Sequence, residues 1–181
     1  MNLSEQTLAS EEKFRGKILR FKLDTVALPN GKQSTREVVE HPGGVCVAAL
    51  TEERELLMVR QFRYPYGEVV KEVPAGKRDK GEEPLACAVR ELKEETGATA
   101  KTLLPVGTMY PTPGYSNEVI YLYIATGLTF GEMQPDADEF LEVERVPLAE
   151  AVKQVMAGEL PDAKTQILVL KTQQLLDQGL I

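Results

Sequence analysis

Residues 76–98 read GKRDKGEEPLACAVRELKEETGA and contain the clearest helix signal in the chain. Pro84 suits the first turn of a helix, where its missing N–H costs no hydrogen bond. Apolar residues then recur at helical spacing and form one stripe: Leu85, Ala88, Val89 and Leu92. Gly97 stands where a helix can end on a left-handed residue. We therefore predict a helix over residues 84–95.

Acidic residues cluster on this predicted helix. Glu91 lies three positions before Glu94 and four before Glu95, so the three carboxylates share one face. Like charges at these spacings destabilise an isolated helix by roughly a few tenths of a kcal/mol per pair. Two carboxylates one turn apart can bind Mg²⁺, which takes hard oxygen ligands and can polarise a phosphoryl group. On spacing alone, a solvated helix face is the more common explanation.

The residues on either side of the helix decide between these two explanations. Glu82 follows Gly76 after five intervening residues, and after seven more the chain reads RELKEETGA over residues 90–98. This pattern, called here the box (residues 76–98), resembles the Nudix box at every defined position, although Ala98 is small for the last apolar position. The resemblance implies a metal-dependent hydrolase of diphosphate compounds.

The resemblance also implies a metal site. Glu91 and Glu95 would bind the metal ion, Mg²⁺ with Mn²⁺ as a second possibility, and the backbone carbonyl of Ala75 would be a further ligand. Glu94 would ligate a metal ion or orient the water that the ion binds. The residues of the site therefore come from the helix and from the segment that precedes it.

Two supporting roles follow from the same resemblance. Arg90 would pair with carboxylates of the box, Glu82 among them, and hold them in place as outer partners of metal ligands do. The general base would come from the acidic loop QPDADEF at residues 134–140. Glu139 is the first choice for the base and Asp138 the second, with an ordinary solvated loop as the alternative.

Three features outside the box resemble the ADP-ribose diphosphatase branch of the Nudix superfamily. The segment EVPAGK, which starts at Glu72, leads into the box as it does in those enzymes. Pro113 stands sixteen residues after Gly97, where the branch has its marker proline, and VRQFRY at residues 59–64 resembles its arginine-bearing strand. The resemblance places both Glu72 and Pro113 at the substrate.

The same branch implies further substrate contacts. Arg63 would form bidentate hydrogen bonds to a phosphate, and Glu118 would bind the substrate or a metal-bound water. Arg36 would contact the nucleobase of the substrate or a partner subunit. For both Arg36 and Arg63, a plain surface role is the alternative. The implied reaction is hydrolysis of ADP-ribose, or of a close nucleoside diphosphate sugar, to AMP and ribose 5-phosphate. Another nucleotide sugar or a dinucleotide is one alternative substrate, and a non-catalytic ADP-ribose sensor is the other alternative function.

Composition limits the classes of function. A net charge of −7 over 181 residues argues against nucleic-acid binding, which needs a basic face. His41 is the single histidine, so mechanisms and metal sites built on paired histidines are excluded. Cys46 and Cys87 lie in apolar runs and are expected to be buried packing residues. We find no signal-peptide core and no apolar run of about 20 residues, and we expect a cytoplasmic protein that does not enter a membrane.

The remaining segments predict an α+β chain. Strands are predicted over residues 17–28, 32–40, 44–50, 55–64, 101–110, 119–128 and 141–146, with a loop over residues 65–81 and helices over residues 148–157 and 163–176. The Nudix resemblance implies an α/β/α sandwich with a mixed sheet over residues 43–181. The resemblance to the ADP-ribose diphosphatase branch implies that the strands of residues 1–42 form a small antiparallel sheet that reaches across a homodimer. A strand pair alone cannot bury both faces, which is a separate reason to expect a partner.

Overall fold

The computed structural model describes residues 2–135 and 139–181. Ten strands and three helices are found in this part of the chain: β1 (Gln6–Arg15), β2 (Arg20–Ala27), β3 (Gln33–Glu40), β4 (Gly44–Ala49), β5 (Glu55–Arg63), β6 (Glu68–Glu72), β7 (Ala75–Lys77), α1 (Pro84–Thr96), β8 (Ala98–Met109), β9 (Ile120–Phe130), β10 (Leu141–Pro147), α2 (Leu148–Ala157) and α3 (Ala163–Asp177). None of the helices in the described residues is both long and apolar enough to cross a membrane.

The chain forms two compact units, and the first consists of the chain up to Gly43 together with Tyr110–Val119. Its sheet is antiparallel in the order β1-β2-β3, and the β2–β3 turn contains Gly31 with a φ of 81°. The strands predicted over residues 17–28 and 32–40 are therefore confirmed, and they pair as an antiparallel hairpin. Strand β1 was not predicted, because all ten of its residues are exposed and its sequence, QTLASEEKFR, lacks an alternating apolar pattern.

Strand β4 lies at the centre of the second unit, which consists of Gly44–Met109 and Ile120–Ile181. It pairs in parallel with β9 and antiparallel with β7, in a four-stranded sheet of order β7-β4-β9-β8. A second, antiparallel sheet has the order β10-β5-β6. The predicted mixed sheet is therefore confirmed, and it is accompanied by a smaller antiparallel one.

Alternate residues of β4 enter two different cores. Cys46 and Ala48 pack in a core that includes Leu168 of α3 and Ala151 of α2. Val45, Val47 and Ala49 alternate with them and pack in a second core with Leu92 of α1. Because successive strand residues point to opposite faces, α1 covers one face of the sheet and the other two helices cover the opposite face. The predicted α/β/α sandwich is confirmed.

The prediction of one continuous loop over residues 65–81 is wrong. Strand β6, with the sequence EVVKE, pairs with β5 after a turn that ends at Gly67. The three residues of strand β7 pair with Gly44, Val45 and Cys46 of β4. Pro74 and the nearby glycines led to the loop prediction, but they only separate two short strands. As a result, the segment that leads into the box is anchored at a strand on either side of Pro74.

The C-terminal end of α1 anchors the loop that follows β9. Gly97 has a φ of 68°, and its N–H donates to the carbonyl of Lys93 over 2.8 Å. The carbonyl of Gly97 accepts from the N–H of Gly131 over 2.8 Å, and that of Glu94 accepts from Gln134 over 2.9 Å. A Cβ on Gly97 would lie 2.4 Å from the carbonyl oxygen of Gly131. Only glycine satisfies both the left-handed backbone and this close approach.

Replacement of Gly97 with alanine is expected to lower the free energy of unfolding by about 3 kcal/mol. The left-handed backbone contributes about 1 kcal/mol and the contact with Gly131 about 2 kcal/mol. Gly158 is the matched control, because it ends α2 with a φ of 77° and no atom lies within 4 Å of its Cβ position. Urea unfolding of Gly158→Ala should show only the loss of about 1 kcal/mol. Equal losses in both variants would contradict the role of the contact.

Candidate active site

Helix α1 directs two of its glutamates into the second unit. Glu91 is 7% exposed and Glu95 is 1% exposed, which is rare for carboxylates. Glu95 Oε2 accepts a hydrogen bond of 2.9 Å from the backbone N–H of Ala75. Glu91 lies so close to Gly76 that a Cβ there would come within 1.8 Å of the Glu91 carboxyl carbon. Both carboxylates are therefore held against strand β7.

Arg90 connects three glutamates of the box. Its Nε and Nη2 atoms donate to the two oxygens of Glu82, each over 2.9 Å. Its Nη1 atom donates to Glu91 over 2.8 Å and to Glu94 over 2.9 Å. The hydrogen bonds to Glu82 are the largest cause that raises the pKa of Arg90, and Arg90 lowers the pKa of Glu82 to about 2. A planar guanidinium suits this task, because its donors point in fixed directions.

Burial dominates the ionisation of the two inner glutamates. Burial raises the pKa of Glu91 to about 7, although Arg90 lowers it, and the charge of Glu94 raises it further. Burial also raises the pKa of Glu95 to about 8, against the opposing hydrogen bond from Ala75. One arginine therefore does not compensate for burying this pair of carboxylates, and a nearby cation would favour their charged forms.

The ligand atoms available at this site suit a hard divalent cation. Glu91 and Glu95 present carboxylate oxygens from one helix face, and β7 brings backbone groups of Ala75 beside them. In the part of the chain that the structure describes, no three acidic, cysteine or histidine side chains converge into a complete metal site. Mg²⁺ ordinarily takes one or two protein carboxylates and completes its shell with water and substrate phosphate oxygens.

Glu139 brings further negative charge to the inner carboxylates. Its charge contributes to the raised pKa of both Glu91 and Glu95. It is half-buried, and two residues that precede it in the chain, Gly131 and Gln134, are hydrogen-bonded to the end of α1. Asp138, the second residue predicted as a base, lies outside the described residues.

Arg63 and Glu72 form an ion pair between strands β5 and β6. Arg63 Nε donates to Glu72 Oε1 over 2.6 Å, and Arg63 Nη2 donates to Oε2 over 2.8 Å. Burial lowers the pKa of Arg63, but the hydrogen bonds to Glu72 and the charges of Glu72 and Glu95 raise it overall. Glu72 precedes Ala75 by three residues, and the N–H of Ala75 donates to Glu95, so the pair adjoins the segment that holds the box carboxylates. Lys164 of α3 also donates to Glu72, a contact that nothing in the sequence pattern indicated.

Three of the predicted substrate residues lie in the first unit. Arg36 is hydrogen-bonded to the carboxylate of Glu5 over 2.9 and 2.5 Å. Glu118 lies 3.3 Å from Nδ1 of His41. Pro113 is exposed in the turn that precedes β9.

Known proteins resemble the chain along nearly its whole length. A family model described as NUDIX domain matches residues 40–167, and one described as Nucleoside diphosphate sugar hydrolase N-terminal domain matches residues 5–39. The chain is 46% identical over 166 residues to the "ADP-ribose pyrophosphatase" of Bacillus subtilis, covering 91% of this chain and 90% of that protein. It is 40% identical over 167 residues to the "Methanol dehydrogenase activator" of Bacillus methanolicus, with coverage of 91% and 90%. A crystal structure of an "ADP compounds hydrolase" shares the fold, with a TM-score of 0.85, 22% identity and full coverage of both chains.

Proposed function

The chain belongs to the Nudix family of hydrolases, and on this premise we propose that it hydrolyses the diphosphate bond of ADP-ribose or of a related nucleoside diphosphate sugar. The products from ADP-ribose are AMP and ribose 5-phosphate. The observation that carries the proposal is the pair of buried carboxylates, Glu91 and Glu95, held against β7. The "ADP-ribose pyrophosphatase" relative supports ADP-ribose as the first substrate to test.

We propose that Mg²⁺ is the metal, with Mn²⁺ as the alternative. Glu91, Glu95 and the carbonyl of Ala75 would hold it, because they supply the hard oxygen atoms that these cations prefer. When bound, such a cation neutralises phosphate oxygens and makes a water molecule more acidic. The raised pKa values of the two glutamates support a cation at this position.

The residues of the chain have separate tasks in the proposed reaction. Arg90 holds three carboxylates in register through the hydrogen bonds described above. Arg63, fixed by Glu72, binds a phosphate of the substrate with the donors that Glu72 leaves available. A carboxylate of the acidic loop removes a proton from the attacking water. The water oxygen then bonds to one phosphorus atom, and the bridging oxygen leaves with the other phosphate.

The proposed function is tested by incubation of the protein with ADP-ribose and Mg²⁺ while AMP is measured. A panel of other diphosphate compounds, including UDP- and GDP-linked sugars and dinucleotides, determines the preferred substrate. We expect AMP release from ADP-ribose at a higher kcat/KM than product release from the other compounds. Binding of ADP-ribose without hydrolysis of any compound would instead indicate a sensor.

The general base is expected to be Glu139, with Asp138 as the second candidate. Substitution of the base by its amide should lower kcat by about 10²-fold, since the amide cannot accept the proton from water. We expect this loss for Glu139→Gln and a near-normal rate for Asp138→Asn. Measurement of kcat at saturating ADP-ribose in both variants decides between them. The reverse pattern would assign the base to Asp138, and two normal rates would place it elsewhere.

Stabilisation of the protein by Mg²⁺ is expected to increase with pH. The pKa values of about 7 for Glu91 and about 8 for Glu95 lie above the ordinary value of 4.5. A raised pKa contributes stability that is complete below the unfolded pKa and is lost as the pH rises through the folded pKa. In EDTA, the melting temperature should therefore fall between about pH 5 and about pH 9. Bound Mg²⁺ should reduce this fall, because it favours the ionised carboxylates.

Melting temperatures measured across this pH range with EDTA and with Mg²⁺ check this expectation. The double variant Glu91→Gln/Glu95→Gln is the control for all other titrating groups. Its melting temperature should depend less on pH and should not respond to Mg²⁺. A Mg²⁺ effect of equal size at low and high pH in the unmodified protein would contradict the expectation.

We also propose that residues 1–42 are a dimerisation element and that residues 43–181 are the hydrolase domain. Support comes from β1, an edge strand with all ten residues exposed, including Leu8 and Phe14. Light scattering should give a dimer mass for the whole chain and a monomer mass after removal of residues 2–16.

A cytoplasmic location is proposed as well, because both cysteines are free thiols, the usual state in reducing compartments.

A further inference from the structure

The beginning of α3 is tied to the segment that leads into the box. Lys164 donates to Glu72 Oε2 and, over 2.8 Å, to Asp162 Oδ1. Asp162 Oδ2 accepts from the backbone N–H of Thr165 over 2.9 Å and from its hydroxyl over 2.5 Å. The hydroxyl oxygen of Thr165 accepts from the N–H of Val73 over 2.9 Å. Because Glu72 and Val73 are neighbours in the chain, these hydrogen bonds close a ring.

The ring includes the buried carboxylate of Glu72, which is paired with two cationic side chains. Glu72 is only 1% exposed, and the side chain of Lys164 is 12% exposed. Removal of one ionic partner from a buried carboxylate strongly destabilises the folded protein, because it leaves a buried charge without compensation. Arg63 binds both oxygens of Glu72, and Lys164 also binds Oε2. The orientation of the carboxylate therefore depends on both cations.

The orientation of Glu72 in turn determines the direction of Arg63. Two parallel hydrogen bonds from a guanidinium to a carboxylate fix the plane of the guanidinium. They occupy Nε and Nη2 of Arg63, and no hydrogen bond from its Nη1 to another described residue is found. The side chain of Arg63 is also partly exposed. Its outer edge is therefore fixed in direction and accessible to a ligand.

We infer that Lys164 is a positioning residue: held by Asp162, it fixes the carboxylate of Glu72 and so directs Arg63 towards the diphosphate of the substrate. In this arrangement Glu72 acts on the substrate through Arg63. The inference rests on the proposed function, and it gives α3, which lies outside the box, an indirect effect on substrate binding.

The test compares Lys164→Met with Lys171→Met, an exposed lysine on the same helix. For Lys164→Met, we expect KM for ADP-ribose to rise about 10-fold with a smaller change in kcat, because Arg63 contacts bound substrate. Lys171→Met should retain both constants. Lys164→Arg keeps the charge and should restore most of the affinity, which guards against a variant that merely folds poorly.

A double-mutant cycle separates positioning from a purely structural role. In an Arg63→Met background, Lys164→Met should cause no further rise in KM, because its effect passes through Arg63. A rise of the same size in both backgrounds would overturn the inference. The nuclear magnetic resonance signal of the Arg63 Nε–H, identified by its absence in Arg63→Met, gives a readout that is independent of turnover. It should broaden or shift in Lys164→Met, and an unchanged signal would also overturn the inference.

These readouts distinguish the inference from the proposed function. If the unmodified protein hydrolyses neither ADP-ribose nor a related nucleoside diphosphate sugar, the proposed function fails. The Arg63 signal then still shows whether Lys164 holds the arginine. If the unmodified protein is active and Lys164→Met leaves both KM and the Arg63 signal unchanged, only the inference fails.

Discussion

Replacement of Glu95 with glutamine is expected to lower kcat for ADP-ribose hydrolysis by about 10³-fold, equivalent to about 4 kcal/mol of transition-state stabilisation. The loss should fall on catalysis and leave the fold intact. Glu95 is almost fully buried, and its pKa of about 8 keeps it largely protonated in the metal-free protein at neutral pH. Glutamine has the same shape, and its amide oxygen can still accept the hydrogen bond from Ala75.

The measurements for this variant are the rate of AMP release, the affinity for Mn²⁺ by electron paramagnetic resonance, and the melting temperature in EDTA. We expect a lower rate, weaker Mn²⁺ binding and an unchanged or higher melting temperature. Glu83→Gln, which changes an exposed acid immediately before the same helix, should keep the rate of the unmodified protein. A normal rate for Glu95→Gln would refute the role of Glu95, and a rate loss that follows the loss of folded protein would show a structural effect.

Gly76→Ala is expected to reduce both activity and stability. The added Cβ would lie 1.8 Å from the carboxyl carbon of Glu91, so either β7 or the Glu91 side chain must move. Overpacking of this kind costs about 3 kcal/mol in the free energy of unfolding. Displacement of a proposed metal ligand should also lower kcat/KM by at least about 10²-fold.

A second substitution separates the two effects of Gly76→Ala. In Gly76→Ala/Glu91→Ala, the side chain that meets the new Cβ is truncated, so most of the lost stability should return while activity stays low. Gly81→Ala is the control within the same box segment, because its φ is 82° and no atom lies within 4 Å of its Cβ position. It should lose about 1 kcal/mol of stability and little activity. No recovery of stability in the double variant would contradict the steric explanation.

The helix and its acidic face could be predicted because their signals are local. Residues three and four apart share a face of any helix, so the proximity of Glu91, Glu94 and Glu95 follows once residues 84–96 are helical. Gly97 likewise ends α1 for a reason that holds at any helix end. The complete burial of β4 also follows from its apolar run, which is typical of a strand covered on both faces.

Other parts of the site depend on contacts between distant residues and could not be predicted. Strand β1 is defined by its pairing with β2, since its own residues are exposed and mostly polar. The contact of Lys164 with Glu72 joins residues 92 positions apart, and no local pattern marks either residue as a partner of the other. The sequence predicted a role for Glu72 only by resemblance, and its burial between two cations emerged from the fold.

The parallel pairing of β4 with β9 has a consequence for the order in which the chain folds. Gly44 pairs with Ile120 and Ala49 with Ala125, so the box is synthesised after one strand of this pair and before the other. A contact between such distant segments must overcome a large loop-closure entropy before it gains any stability. We therefore expect the acidic helix to receive its final support late, when β9 joins β4. We expect destabilising substitutions in β9 to slow folding more than equally destabilising substitutions on the exposed face of α3.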